Sequence, residues 1–508
     1  MKEFTSILFT GKNKELQKTA PLFFTDLQLD YLLGILENQS KGYSLRPYFY
    51  TLPKDLEEIA YRQEIYAQLA DPALTKALQQ FCIRMQRSRR SHSLALQCEE
   101  KIQAASYYLE AASRYCEAVS DLSRQLAESS LFAEGFLSFR ETLSALMKSY
   151  EDTGFLGAVH RAAQFLGKIR FTLVISSDKI TITEEPESDE NYLKELAELL
   201  SLKEEEVKTV VAHPFPNALE PSFLETTLMR IIKKSQPDIF QEIEEFYQSY
   251  PNFYSETLLT FETEVQFYLS AREFQKKTEA LGYHFCKPAL TEEERFAATG
   301  NYDLALVWKN AHREYSIITN SFSYPDHASF FVVTGPNQGG KTTFARAMGQ
   351  AVYFSLMGLE ANASTITIPF FEGISTHFEV EESVKSNSGK LKEEIDRLAP
   401  MMKSHIKRHF IVLNELFTTA TTYDALIMGR KVMEHFLERE CYGIYVTHIQ
   451  ELAEDTGQIR SLVAQIEKEK KEKRTYQILP MQAQGYGYSE SLVKQFELTY
   501  EDVKRRLS

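Results

Sequence analysis

The residues with the clearest chemical reading lie in "VVTGPNQGGKTTFARAMGQAVYFSL", where Gly335 precedes Gly340-Lys341-Thr342 at the spacing G-x-x-x-x-G-K-T. The motif follows an apolar, strand-like run and opens a helix-like one, the context a phosphate-binding loop needs. The segment Thr334, Gly335, Pro336, Asn337, Gln338, Gly339, Gly340 through Thr343 would wrap phosphate oxygens, helped by the field of the following helix N-terminus. Lys341 would reach the β- and γ-phosphates, and the Thr342 hydroxyl would ligate Mg²⁺.

Two further strand ends supply the remaining chemistry. The apolar run "FIVLNE" stops at Asn414-Glu415. Glu415 would orient a water against the γ-phosphate as general base. His448, at the end of "GIYVTH", would hydrogen-bond the γ-phosphate or the attacking water. Asn414 stands where an Asp is usual. It offers the same acceptor shape without the charge, so Mg²⁺, held through a water, should bind more weakly. Loss of a neighbouring carboxylate should also lower the pKa of Glu415, weaken it as a base and slow hydrolysis.

The elements that would position these residues change along the chain. From about residue 55 the pattern is helical over long stretches, broken at Asp71-Pro72, as expected before a proline. Residues 22–50 read as short apolar patterns mixed with turns. "KIRFTLVISSDKITITEE" alternates and breaks at Ser177-Asp178, which predicts a β-hairpin. Residues 192–211 and 222–282 return to helix. After Pro288 short apolar strands alternate with helices, the pattern of a parallel α/β sheet. The expected class is therefore α+α/β. A helical lever and clamp region over 1–290, with a small hairpin module near 165–235, precedes an α/β ATPase domain of the P-loop (ABC) type over 291–508.

Bulk properties narrow the classes. The 508 residues suit about three domains. A hydrophobic fraction of 43% supports real cores. The net charge of −14 argues against coating nucleic acid by bulk charge but leaves room for a local basic face. "IRMQRSRRSH" carries Arg84, Arg87, Arg89 and Arg90, which would contact phosphates or form a solvated helix face. Five scattered cysteines without metal-ligand spacing, no signal-peptide pattern and no long apolar window predict a cytoplasmic chain without a membrane span.

Three segments, "TGPNQGGKTT", "NELFTTATTYDA" and "THIQELAE", resemble the ATPase motifs of the MutS mismatch-repair family. Asn337 is part of the resemblance, and Thr421, Thr422, Tyr423 and Asp424 fall in register with the family's S-T-Y-D. The tail from Tyr476 resembles the family's closing segment. The resemblance implies an ATP-driven homodimer on double-stranded or branched DNA, in the bacterial cytosol or nucleoid, with Asp424 in the loop facing the partner's site. It also exposes departures. Helices begin too early for the family's mismatch-reading domain. Leu391 falls at the serine that reaches the partner's γ-phosphate, with Ser388, Lys390 or Lys392 as nearby substitutes. Phe417-Thr418-Thr419 replaces a G-R-G.

These expectations lead to a MutS-type, DNA-associated ATPase of slow turnover, acting on DNA structures or in mismatch repair or recombination. The alternative is a nucleotide-binding clamp or scaffold with negligible hydrolysis. A transport-type ATPase subunit is disfavoured by the long levers and by the missing LSGGQ-type signature.

Overall fold

The computed structural model describes residues 4–11, 15–40, 42–167, 171–175, 180–184, 230–231, 233–234, 237–291, 295–312, 316–324, 327–378, 389–403, 407–466, 474–483 and 504. The chain divides into two compact units. One comprises Met1–Phe4, Asp71–Leu131 and Leu137–Glu262; the other comprises Thr5–Ala70, Phe132–Phe136 and Thr263–Ser508.

The second unit begins with α1 (Phe23–Asp26), α2 (Leu29–Gln39), α3 (Arg46–Tyr50) and α4 (Leu56–Gln68). The sequence reading of 22–50 as short apolar patterns mixed with turns is corrected here, since three helices fall in that stretch. Leu29, Leu32, Leu33 and Leu36 do recur at helical steps and are buried, but α1 and α3 are too short for periodicity to reveal them. The Asp55 carboxylate accepts from the Glu58 amide at 2.8 Å and caps α4.

In the first unit, α5 (Pro72–Gln97) starts where Asp71-Pro72 was expected to break the chain. Proline occupies the first turn, and the Asp71 carboxylate accepts from the Ala73 amide at 2.8 Å. Helix α6 (Lys101–Glu128) packs along α5. Its buried Ala105, Ala112, Val119 and Leu126 recur at steps of seven, with Ile102, Leu109, Tyr115 and Leu122 between them. That is a coiled-coil-like seam. Helices α7 (Glu134–Asp152) and α8 (Phe155–Gly167) follow. The expected hairpin is present as antiparallel β1 (Phe171–Ile175) and β2 (Ile180–Glu184). Its Ser177-Asp178 turn and the helix expected at 192–211 lie outside the described residues. Helix α9 (Pro237–Ser249) follows, and α10 (Glu256–Ala280) begins in this unit and continues in the second from Thr263.

The remainder of the second unit mixes helices with two sheets. A four-stranded sheet, which the sequence did not disclose, orders β3 (Ala289–Thr291), β7 (Thr365–Pro369), β4 (Ala297–Asn301) and β5 (Asn320–Ser323). Helix α11 (Leu304–Lys309) lies between β4 and β5 in the chain. The larger sheet runs β12 (Arg474–Pro480), β11 (Ile459–Ile466), β6 (Phe330–Thr334), β10 (Tyr442–Val446), β9 (His409–Asn414), β8 (Gly373–His377). All pairings are parallel except β11 with β12. Helices α12 (Lys341–Leu356), α13 (Lys390–Lys403) and α14 (Thr422–Leu437) accompany it. Strands β6 and β10 are covered on both faces, which is why "FFVV" and "GIYV" read as nearly continuous apolar runs.

Candidate functional site

Register brings the expected residues together. Val333 of β6, Val446 of β10 and Asn414 of β9 lie in one row across three parallel strands. The chain therefore leaves all three strands at the same sheet edge, the carboxyl edge where α/β sheets place ligands. From β6 it enters the glycine-rich loop and α12; from β9 it continues into Glu415; from β10 it continues into Thr447 and His448. The Glu415 amide donates to the Val446 carbonyl at 2.8 Å and ties two of these exits together.

The loop requires its glycines. Gly335 has φ +119°, and a Cβ there would sit 3.0 Å from the Ala464 backbone of β11. Gly340 has φ +89° and is the residue from which α12 starts. Both conformations suit a residue without Cβ. The Lys341 ammonium donates to the carbonyls of Gly335 and Pro336, each at 3.0 Å. Burial holds it below the ordinary lysine range, opposed by the nearby Glu415 carboxylate. Thr334 is buried at the end of β6.

Beside Lys341 the Thr342 hydroxyl donates to the Asn414 amide oxygen at 2.8 Å. Its proton is thus engaged, and its lone pairs are free for a cation. Asn414 keeps the shape of the usual aspartate interaction and lacks only its charge. Among the described residues no group of three or more His, Cys, Asp or Glu side chains is gathered for a metal. The donor set therefore fits an ion that takes most of its ligands from phosphate oxygens and water.

His448 Nε2 lies 3.0 Å from Glu415 Oε1. This hydrogen bond, with the His448 and Lys341 charges, holds the Glu415 carboxyl below the usual carboxylate range. The direction agrees with the expectation from Asn414, but the leading cause is His448. Glu415 itself has φ +55°, a left-handed conformation that is strained for a non-glycine residue.

A pocket of about 1060 Å³ joins these groups. Asn337 through Thr343, Glu415 and His448 line it. The lining also includes residues the sequence reading missed, among them Asn310, Ile317, Ile318 and Tyr476. Ile318 and Tyr476 are 40% and 49% exposed. Tyr476 is fixed by Asn320, whose side chain donates to the Tyr476 carbonyl at 3.1 Å and accepts from the Ile478 amide at 2.8 Å. The signal was a tyrosine in the strand "RTYQILP", but nothing local ties it to a loop more than a hundred residues earlier.

Other expected residues stand apart from this pocket. Asp424 is exposed at the start of α14, where the Thr421 hydroxyl donates to its carboxylate at 2.7 Å. Leu391 packs against the cluster containing Leu416 and Phe417, Lys392 is exposed, and Ser388 lies outside the described residues. In the first unit Arg84 pairs with Asp121 and Arg89 with Glu262. Arg87 and Arg90 are exposed on α5.

The sheet, loop and pocket define a mixed helical and α/β chain with a candidate ligand site at the carboxyl edge of a parallel sheet. Residues 331–491 match the family model of MutS domain V, the ATPase domain of that family. Similar proteins include DNA mismatch repair protein MSH6 of Arabidopsis thaliana, 30% identical over 26% of this chain and 10% of the relative. DNA mismatch repair protein MutS of Streptococcus equi subsp. equi is 25% identical over 35% of this chain and 21% of the relative. DNA mismatch repair protein MSH4 of Arabidopsis thaliana is 26% identical over 34% and 21%. Over these residues the chain is similar to proteins of the MutS family. The matches span about a fifth or less of those relatives' lengths.

Proposed function

We propose that the chain is a MutS-type, ATP-dependent DNA-binding protein that hydrolyses ATP slowly. The supporting observation is that the Lys341 loop and the Glu415–His448 pair face one pocket. In this reading the glycine loop is a P-loop. The backbone from Gly335 to Thr343 and the Lys341 ammonium bind the phosphates, and the base rests against Ile317, Ile318 and Tyr476. Glu415 accepts the proton of the attacking water, while His448 holds that carboxylate in place. Thr342, oriented by Asn414, contributes a ligand to Mg²⁺, which when bound neutralises phosphate charge.

The wider reading is likewise a proposal. Residues 1–290 act as levers and clamp, 291–508 as the ATPase domain, and the chain works in the cytoplasm as a homodimer with Asp424 toward the partner. Arg87 and Arg90 contact double-stranded or branched DNA. The process is mismatch repair, which is named for its relatives, or recombination.

The test is steady-state ATPase of the wild type against Glu415→Gln, with and without duplex, mismatched and branched DNA. Turnover stimulated by DNA and abolished in the variant supports this reading. One observation favours a second reading: the neutral Asn414 leaves the metal position without its usual charge. A clamp or scaffold that binds nucleotide without appreciable hydrolysis would show ATP binding and no turnover on any DNA.

A further inference from the structure

The loop after β9 is held in an unfavourable shape by a residue outside the pocket lining. Phe417 has φ +61°, although it is not glycine, and its side chain is buried at 3% exposure. Glu415, two residues earlier, is also left-handed. Two such residues in a short loop persist only where surrounding contacts over-determine them. The Phe417 amide donates to Glu394 Oε1 of α13 at 2.6 Å. The Phe417 ring joins Leu398 and Met401 of the same helix in the core.

Helix α13 is itself anchored at several points. The Arg397 guanidinium grips both carboxylate oxygens of Asp26 of α1 at 2.7 Å and donates to the Phe378 carbonyl at 2.9 Å. The Thr376 hydroxyl donates to Asp26 at 2.6 Å. His377 Nε2 donates to the Glu394 carbonyl at 3.3 Å. Arg397 and Glu394 lie three residues apart, on neighbouring turns of one helix face. One grips α1 and the end of β8, and the other grips the loop that carries Glu415.

We propose that Glu394 is a positioning residue: through the Phe417 amide it braces the loop that aims Glu415 into the pocket, and α13 carries that constraint from Asp26. The proposal rests on the hydrolytic reading of the site. Glu394 is not among the residues that line the pocket. Its loss should therefore leave nucleotide affinity intact while misplacing Glu415.

The experiment compares wild type, Glu394→Ala and Glu394→Gln, the last keeping an acceptor at the same position. Two quantities are measured: hydrogen exchange of peptides spanning residues 413–420, and the split between kcat and KM for ATP. In Glu394→Ala the Phe417 amide should lose protection and kcat should fall by up to ~10²-fold, as for a misplaced catalytic group, with KM unchanged. Glu394→Gln should restore both. Glu394→Asp, which keeps the charge but shortens the reach, serves if the alanine variant does not fold; it should behave as predicted for alanine. Unchanged protection at 413–420, or a glutamine variant as impaired as alanine, overturns the brace. Absence of turnover in the wild type overturns the hydrolytic reading alone, and the exchange data then decide the brace.

Discussion

The Thr342 hydroxyl donates to the Asn414 amide oxygen at 2.8 Å. This hydrogen bond joins the glycine loop to the end of β9 and separates two roles that one aspartate usually combines. Asn414 orients the threonine but brings no negative charge to the metal position. Asn414→Asp should keep the hydrogen bond and add the charge. Mg²⁺ affinity, read from nucleotide binding across a Mg²⁺ titration, should rise roughly tenfold, equivalent to about 1.4 kcal/mol. The ATPase rate should rise with it. If neither quantity changes, the neutral residue is not what limits the site.

His448→Ala removes the strongest influence on the Glu415 carboxyl. A depressed pKa keeps the wild-type base ionised until the pH falls below the ordinary carboxylate range. Without His448 that pKa returns upward, so the acid limb of the pH–rate profile should move to higher pH. The rate at neutral pH should fall by ~10- to 10²-fold from lost orientation. An unmoved acid limb would mean that another group sets the profile.

The four arginines of α5 should separate into two pairs. Arg87→Ala with Arg90→Ala should weaken duplex binding and reduce the salt slope of log affinity by about one for each phosphate no longer neutralised. Arg84→Ala and Arg89→Ala break ion pairs with Asp121 and Glu262. They should lower thermal stability and leave DNA affinity nearly unchanged. Fluorescence anisotropy at several salt concentrations distinguishes the pairs; an equal loss of affinity in all four variants contradicts the division.

A stability effect should arise far from the pocket, at Glu264. Its carboxyl accepts from Ser6 Oγ at 2.6 Å and from the Ile7 amide at 2.8 Å. Burial pushes its pKa up to about 7 from an ordinary 4.5. The folded state favours the protonated acid, whereas the unfolded chain releases the proton above about 4.5. Stability is therefore lost as the pH rises between those values, by about 3 kcal/mol at ~1.4 kcal/mol per unit. Glu264→Gln stays neutral, so its thermal midpoint should decline less between pH 5 and 8. Parallel profiles for the two proteins would exclude Glu264 as the source.

What could be read from the sequence was local. The G-x-x-x-x-G-K-T spacing is a backbone requirement within one loop, seen in the φ values of Gly335 and Gly340. The runs ending at Thr334, Asn414 and Val446 are strands buried in a parallel sheet, and such strands declare themselves by apolar composition. The boundary at Asp71-Pro72 was legible from the proline, and the hairpin strands near 171–184 from their alternation. Helices α1 and α3 and the four-stranded sheet were not, because these elements of three to five residues lack the adjoining alternating partner that marked the hairpin.

Tertiary structure decided which of these residues act together. The partner of Glu415 is His448, 33 residues on, and the partner of Asn414 is Thr342, 72 residues back. Parallel register sets both pairings, and no local pattern encodes it. The same holds for Tyr476 in the pocket lining, for Glu394 accepting from the Phe417 amide, and for the ion pairs that occupy Arg84 and Arg89. Side-chain chemistry is written residue by residue along the chain. Whether a carboxylate is aimed at a ligand or an arginine is paired within the protein depends on distances that only the folded chain fixes.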